Sequence, residues 1–171
     1  DLSGAGHATP DELYYGPSPA DITQGGQPPP PVDCNEGPRS RFPSRVPFNA
    51  ILQNLEAWAE HGTTPPPGAV VQMNGNTGAL DQYGNVKGGV RTPYLDVPTS
   101  VWAGNSTGPS FCRIAGHETP FSADRLKALY PTHQDYVKAV QASVRSLVSQ
   151  RYITKAYGEA IIAEARAAKV P

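Results

Sequence analysis

The sequence predicts an α/β chain whose first part is rich in loops and short strands and whose last part is helical. Glycine and proline contribute 17 and 19 of the 171 residues, which indicates frequent turns. Between residues 69 and 103, turn dipeptides separate short runs of β-branched and aromatic residues. From residue 120 onward, apolar residues recur at helical spacing, so the periodicity changes there.

Composition and charge exclude several functional classes. A chain of 171 residues is long enough for one domain with a core, and its apolar residues, 38% of the total, are clustered. The formal net charge of −1 offers no basic excess for a polyanion, so nucleic acid is not an expected partner. No run of about 18 apolar residues occurs, and we expect no membrane span.

A first helix is predicted over residues 48–61, after a loop-like segment at 1–47. Its apolar residues recur at spacings of three and four and are Phe48, Ile51, Leu52, Leu55, Trp58 and Ala59. Pro47 suits the first turn of this helix, and Gly62 suits its end. The prolines at 65–67 prevent the helix from continuing.

The segment after these prolines is predicted to form short strands and turns. Residues 69–73 are a strand candidate, and Asn74-Gly75 and Gly84-Asn85 are turn signals. Further β-prone positions are Val86, Val90, Tyr94, Leu95, Val97 and Val101. Pro93 and Pro98 favour irregular or edge pairing, because proline has no backbone N–H to donate.

Three more helices are predicted in the last part of the chain. Ser122 can cap a short helix that runs to Tyr130, and Thr132 can cap a longer one with Asp135 in the capping-box position. Thr154 can cap the last helix. The buried stripes are predicted at Tyr136, Val137, Val140, Val144, Leu147 and Val148 and, in the last helix, at Ile161, Ile162 and Ala165.

The two cysteines, Cys34 and Cys112, are predicted to form one disulfide. Neither lies in a Cys-x-x-Cys pair or in a Cys/His cluster with zinc spacing, so no metal site is expected. Proline-rich, charge-poor loops suit an exported protein, secreted or periplasmic, in which disulfides persist. The alternative is two buried thiols that pack as small apolar groups.

Three motifs stand out along the chain. They are Ser3-Gly4-Ala5-Gly6-His7-Ala8, Gly88-Gly89-Val90-Arg91-Thr92-Pro93-Tyr94-Leu95-Asp96-Val97-Pro98, and Gly116-His117-Glu118-Thr119-Pro120-Phe121-Ser122 with Leu129-Tyr130-Pro131 after it. In this order they resemble the C-terminal part of the bacterial family of alpha/beta hydrolase domain proteins. The helix at 48–58 and the proline-rich loop after it also fit that family, so the resemblance covers most of the chain.

The resemblance implies an α/β-hydrolase fold of which this chain forms the C-terminal portion. Residues 1–119 are then the end of the hydrolase core, with peripheral β-hairpins and one helix. Residues 120–171 are a C-terminal helical region of the same domain, which makes about four helices in all. Residues 1–3 correspond to the end of the last strand, and the small residues at 4–6 allow a sharp turn after it.

The same resemblance implies that His7 is the catalytic histidine of a serine hydrolase. The triad of an α/β hydrolase runs Ser, then Asp or Glu, then His along the chain. The nucleophile and the acid are therefore expected on an N-terminal portion of the same hydrolase, present as a separate chain after proteolytic processing or another truncation. A small carboxylic ester is the implied substrate, and no cofactor is implied.

Residues 104–108 match the Gly-x-Ser-x-Gly pattern of a nucleophile elbow around Ser106. An elbow needs a strand before the serine and a helix after it. Pro109 follows at once, and no helical stripe comes after it. We therefore predict a glycine-rich turn.

Arg91, Asp96 and His117 are candidate pocket residues. Arg91 and Asp96 are predicted to form an ion pair around Pro93, with a place for Arg91 in the hydrolase pocket as the alternative. His117 and Glu118 form an acid–base pair in sequence, but neighbours on an extended segment point to opposite faces.

Two other functions remain open beside the hydrolase portion. One is a non-catalytic, exported binding or structural module, whose contact surface would combine the polyproline stretch at 28–31 with Tyr14, Tyr15, Tyr94 and Trp102. The other is an autonomous esterase that uses Ser106. A serine-reactive phosphonate separates the three, since it would label a companion chain, nothing, or Ser106.

Overall fold

Helices supply most of the regular structure in residues 1–7, 19–29 and 34–171, which the computed structural model describes. They are α1 (Pro19–Gln24), α2 (Arg45–His61), α3 (Pro93–Asp96), α4 (Ala123–Leu129), α5 (His133–Ser149) and α6 (Lys155–Ala167). Within these three ranges, every helix is too short or too polar to cross a bilayer.

Two small antiparallel sheets accompany the helices, so the chain is of the α/β kind. Strands β1 (Met73–Asn74) and β2 (Thr77–Gly78) form a hairpin, and β3 (Ser100–Ala103) pairs with β4 (His117–Pro120). Trp102 lies opposite Glu118 in the second sheet. Isolated bridges lie outside these strands, among them a parallel bridge between Leu2 and Val90.

The long helices begin and end where their caps predict. Ser122, Thr132 and Thr154 each accept a hydrogen bond from the backbone N–H three residues further on, at the starts of α4, α5 and α6. Gly62 ends α2 in the left-handed region, with a φ of 65°, which a glycine adopts without strain. The four predicted helices are present, and α2 begins at Arg45, three residues before its predicted start.

Three local predictions are wrong. Only Met73 of the strand predicted at 69–73 lies in a strand. The rest of this segment pairs only through an isolated bridge between Val71 and Gly88. Tyr94 and Leu95 lie in α3, since Pro93 at the first helical position favours a helical φ over a strand. The loop predicted at 1–47 contains α1, whose first turn carries Asp21.

The main core lies between α5 and α6 and extends to residues from the first part of the chain. Its buried members are Val46, Val97, Tyr130, Val140, Val144, Leu147, Ile153, Ile161, Ala165 and Val170. Each fully buried aliphatic side chain contributes about 1.5–3 kcal/mol by removal from water. The stripes predicted for α5 and α6 are therefore the faces that bind these helices together.

A second, aromatic core cluster lies beneath the N-terminal segment. Phe42, Tyr94 and Trp102 meet edge to face, with ring centroids 5.7–6.1 Å apart, and Leu95 is fully buried beside them. The buried Asn85 side chain supports the cluster, since its Oδ1 accepts a hydrogen bond from the backbone N–H of Trp102 at 2.8 Å. Trp102 is thus a core residue and is not open to a contact surface, whereas Tyr94 is only partly buried against it. Tyr14, Tyr15 and part of the polyproline stretch lie outside the described residues.

The apolar stripe of α2 does not join either core. Phe48, Ile51 and Leu52 are 57–60% exposed, and Leu55 and Trp58 are 52% and 56% exposed. Only the opposite side of the helix start is buried, at Val46, Pro47 and Ala50. The helix was predicted from this stripe, but in this chain the stripe faces outward.

We expect Gly158→Ala to lower the stability of the fold. A Cβ at Gly158 would lie 2.8 Å from Val144 Cγ1 and 3.1 Å from Val148 Cγ2, so α5 and α6 would have to separate. Overpacking costs about 1–3 kcal/mol, against a gain of about 1 kcal/mol in helix propensity. Denaturant unfolding measures the net loss; Gly68→Ala, where nothing lies within 4 Å of the new Cβ, is the control. An unchanged midpoint for Gly158→Ala would contradict close packing here.

Candidate active site

His7 stands at the end of an N-terminal segment that runs beside Val90. The Ser3 N–H donates to the Val90 carbonyl at 3.2 Å, and the Val90 N–H donates to the Asp1 carbonyl at 2.8 Å. The buried Ser3 hydroxyl also donates to the Gly88 carbonyl at 2.6 Å. The backbone of residues 88–90, in the second motif, therefore holds the segment at residues 1–3, which leads into the turn before His7.

The chain turns sharply at Gly4, whose φ of 80° lies in the left-handed region. A Cβ at Gly4 would lie 3.0 Å from Leu95 Cδ1 and 3.2 Å from Phe42 Cε2, so the turn lies directly on the aromatic cluster. Any larger residue at Gly4 would be both strained and crowded.

Three glycines then bring the backbone before His7 into contact with the second sheet. A Cβ at Gly6 would lie 2.6 Å from the Gly116 nitrogen, and one at Gly104 would lie 2.7 Å from the Ala5 oxygen. Real Cβ atoms do not approach other atoms this closely, so these contacts require glycine. The residues 4–7, which we call the His7 turn, are thereby held against the end of β3 and the start of β4.

The His7 side chain itself is exposed. Among the described residues, none forms a hydrogen bond or ion pair with its imidazole. A fixed backbone with an exposed imidazole can present the ring to a group from outside the described residues, as a general base must. The acid that would fix its tautomer is likewise not found in the described ranges.

The loop at 104–108 is a glycine-rich turn, as predicted, and not a nucleophile elbow. Strand β3 ends at Ala103, and a single 3₁₀ turn at Ser110–Arg113 follows in place of a helix. Ser106 is buried, and its N–H donates to the Cys112 carbonyl at 3.0 Å. A buried hydroxyl in such a turn is not presented to a substrate in the way that an elbow serine is.

His117 contacts Ser106 but is oriented wrongly to activate it. His117 Nδ1 lies 2.9 Å from the Asn105 carbonyl oxygen and 3.2 Å from Ser106 Oγ. A carbonyl oxygen only accepts, so the geometry assigns a proton to Nδ1. Because that nitrogen already carries its proton, it cannot take another from the Ser106 hydroxyl.

Glu118 points away from His117, as the alternation along β4 predicts. Its buried carboxylate accepts from Arg41 Nε at 2.9 Å and Arg41 Nη2 at 3.0 Å, and from the Ser100 hydroxyl at 2.9 Å. The hydrogen bonds and the charge of Glu118 raise the pKa of the Arg41 guanidinium. Glu118 therefore joins β3 to the segment before α2 and does not act on His117.

The predicted ion pair between Arg91 and Asp96 is confirmed. Arg91 Nε donates to Asp96 Oδ1 at 2.7 Å, and Arg91 Nη2 donates to Asp81 Oδ2 at 2.7 Å and to the Leu95 carbonyl at 2.9 Å. Nη1 donates to the Val86 carbonyl. The guanidinium thus ties three turns together, and its donors are engaged within the chain.

The three candidate pocket residues do not come together. Arg91 and Asp96 line a polar cleft of about 550 Å³. His117 lies elsewhere, at the start of β4 beside the His7 turn. The backbone of Gly116, the residue before His117, contacts the His7 turn at Gly6.

The disulfide between Cys34 and Cys112 is present, with a sequence separation of 78. Next to it, the Glu36 carboxylate accepts from the Thr107 N–H at 2.6 Å and from the Thr107 hydroxyl at 2.5 Å. These hydrogen bonds lower the pKa of Glu36, so its carboxylate is ionised at neutral pH. No sequence pattern indicated the contact of Glu36 with Thr107, because 71 residues separate them.

An apolar groove of about 450 Å³ opens between α2 and the N-terminal segment. Its lining includes Leu2, Phe48, Ile51, Leu55, Trp58, Pro65, Pro66, Pro67, Ala69, Val90 and Tyr152. The exposed stripe of α2 forms one wall, so we refer to this surface as the α2 groove. Contiguous exposed apolar surface is typical of protein–protein interaction sites and of ligand-binding grooves.

The described residues hold no group of three or more side chains that could bind a metal ion.

Comparison with known proteins identifies one family. A family model described as an alpha/beta hydrolase domain matches residues 1–163, which is nearly the whole chain. No curated protein and no solved structure matches the chain significantly.

We expect protein unfolded without reductant to contain no titratable thiol. Breaking the bond in a Cys34→Ser, Cys112→Ser double variant should lower the free energy of unfolding by about 4 kcal/mol, since the cross-link closes a long loop. Thiol titration and denaturant unfolding of parent and double variant measure the two effects. Two titratable thiols in the unreduced parent would contradict the bond.

Proposed function

The chain belongs to the alpha/beta hydrolase domain family, and we propose that it is the histidine-bearing, C-terminal portion of a serine hydrolase that cleaves carboxylic esters. The observation that carries this proposal is the exposed His7 imidazole on a turn fixed by backbone contacts. The order of the triad in α/β hydrolases supports it, since the nucleophile and the acid precede the histidine.

In this proposal His7 acts as the general base. One ring nitrogen takes the proton of the nucleophilic serine as its oxygen attacks the ester carbonyl, and the same nitrogen then protonates the departing alkoxide. Water repeats the sequence on the acyl enzyme and releases the acid. Donors from the nucleophile-bearing portion stabilise the tetrahedral oxyanion.

The nucleophile-bearing portion of the same hydrolase is the proposed partner. It would cover the α2 groove, where four apolar side chains of α2 are each more than half exposed. Burying apolar surface contributes roughly 25 cal/mol per Å², so a closed α2 groove would hold the two portions together. We call the two portions together the assembled hydrolase.

We also propose export to a secreted or periplasmic location, which the disulfide supports, since disulfides persist in oxidising compartments.

The central test of the catalytic assignment is His7→Ala in the assembled hydrolase. Removal of the base should lower the kcat for a small ester by at least about 10³-fold and leave the fold intact. Ester turnover and circular dichroism measure the two properties. His61→Ala, at the exposed end of α2, is the matched control and should turn over at the parent rate.

Ser106→Ala completes this experiment, and it should also turn over at the parent rate, because Ser106 lies in a glycine-rich turn. Near-parent turnover by His7→Ala would end the assignment of the base. Loss of phosphonate labelling in Ser106→Ala would instead favour the autonomous esterase.

The partner assignment is tested by placing a charge in the α2 groove. Trp58→Glu should prevent association with the nucleophile-bearing portion, because an unpaired carboxylate would be buried there. Leu80→Glu, at a residue that is 57% exposed but lies outside the α2 groove, is the control and should associate normally. Size-exclusion chromatography of the co-expressed portions measures both; unchanged association of Trp58→Glu would contradict the assignment.

A further inference from the structure

The loop that supports the His7 turn is itself held by a segment from a distant part of the sequence. Gly104, at the start of this loop, lies against the Ala5 carbonyl. At the far end of the loop, the Thr107 N–H and hydroxyl both donate to Glu36. The chain of contacts therefore runs from Glu36 through the loop to the backbone just before His7.

Thr107 uses all its polar groups in this contact. Its carbonyl accepts from the Asn35 N–H at 2.9 Å, and its Oγ1 accepts from Asn35 Nδ2 at 3.0 Å while donating to Glu36. The Cys34–Cys112 disulfide adjoins these bonds on one side. Two hydrogen bonds to one carboxylate fix the orientation of Thr107 relative to Glu36. Because the acceptor is charged, these bonds are stronger than hydrogen bonds between neutral groups.

The other side of the loop is attached to β4. His117 Nδ1 donates to the Asn105 carbonyl, and the Ser40 N–H donates to the Gly116 carbonyl at 2.9 Å. Gly116 in turn lies against Gly6. The segment at 34–40 thus contacts both the loop at 104–108 and Gly116, and the His7 turn lies against these two parts of the backbone.

We propose that Thr107 and Glu36 are positioning residues for His7: their contact fixes the loop at 104–108, and the loop fixes the turn that carries the base. This inference rests on the proposed function of His7. Neither residue touches the substrate in this arrangement; both act through the backbone of Ala5 and Gly6. A displacement of about 1 Å in a catalytic group costs up to about 100-fold in rate, so a surface contact of this kind can affect turnover.

The test is Thr107→Val in the assembled hydrolase, which removes the hydroxyl and keeps the shape of the side chain. Amide hydrogen exchange should become faster in the peptide that contains residues 4–7 and stay unchanged in α6. The kcat for a small ester should fall by about 3- to 100-fold with KM within about twofold, since the base and not the binding surface is displaced. Thr107→Ser keeps both hydrogen bonds and should restore parent values.

Two further variants keep the proposal falsifiable. Glu36→Gln should reproduce Thr107→Val, because the two bonds go to different carboxylate oxygens and the amide nitrogen that replaces one of them cannot accept. Thr77→Val removes an exposed threonine hydroxyl that donates to the Asn74 carbonyl in the hairpin, and it should change neither exchange nor turnover.

The outcomes separate this inference from the proposed function. If Thr107→Val leaves both exchange at residues 4–7 and kcat at parent values while His7→Ala is inactive, the positioning role is wrong and the catalytic role of His7 stands. If exchange rises in Thr107→Val but neither it nor His7→Ala changes kcat, the loop does hold the turn and the catalytic role of His7 is wrong. Either result overturns Thr107 and Glu36 as positioning residues for catalysis.

Discussion

Backbone surfaces that meet without side chains between them hold the His7 turn in place. Gly6 and Gly104 permit this contact, because a Cβ at either one would collide with backbone atoms of the opposing segment. At Gly116, whose nitrogen Gly6 approaches, a Cβ would collide with the Ala103 oxygen at the end of β3. Beneath the turn, Gly4 rests on Leu95 in the aromatic cluster. Since neither surface contains a flexible side chain, the position of His7 is set by packed backbone, which suits a group that must meet a reacting atom at a defined distance.

The two faces of α2 show how one chain combines a stable core with an incomplete surface. Val46 and Ala50 are buried in the chain, whereas Phe48 and Trp58 on the apolar stripe are more than half exposed. The helix is therefore anchored by a few residues near its start, and its larger apolar face remains exposed. The exposed stripe and the exposed His7 imidazole then have a common explanation, since the nucleophile-bearing portion would cover the first and engage the second.

Sequence reasoning succeeded where the determining interactions are local. The caps at Ser122, Thr132 and Thr154 act within one helical turn, so the helix starts were predictable. The strand predicted at 69–73 is wrong except at Met73, because strand formation depends on partners that are distant in sequence. At the site, the motif around His7 was visible, but the contact of Glu36 with Thr107 was not, since no local pattern links residues 71 positions apart. The outward orientation of the α2 stripe also escaped prediction, because periodicity identifies an apolar face and not what covers it.

The central claim is that His7 accepts the proton of a nucleophile carried by another portion of the hydrolase. The most direct measurement is a crystal structure of the assembled hydrolase with its nucleophile bound to a serine-reactive phosphonate. We expect a ring nitrogen of His7 within about 2.6–3.2 Å of the oxygen of the modified serine. A structure in which another histidine occupies that position, with His7 turned to solvent, would contradict the account.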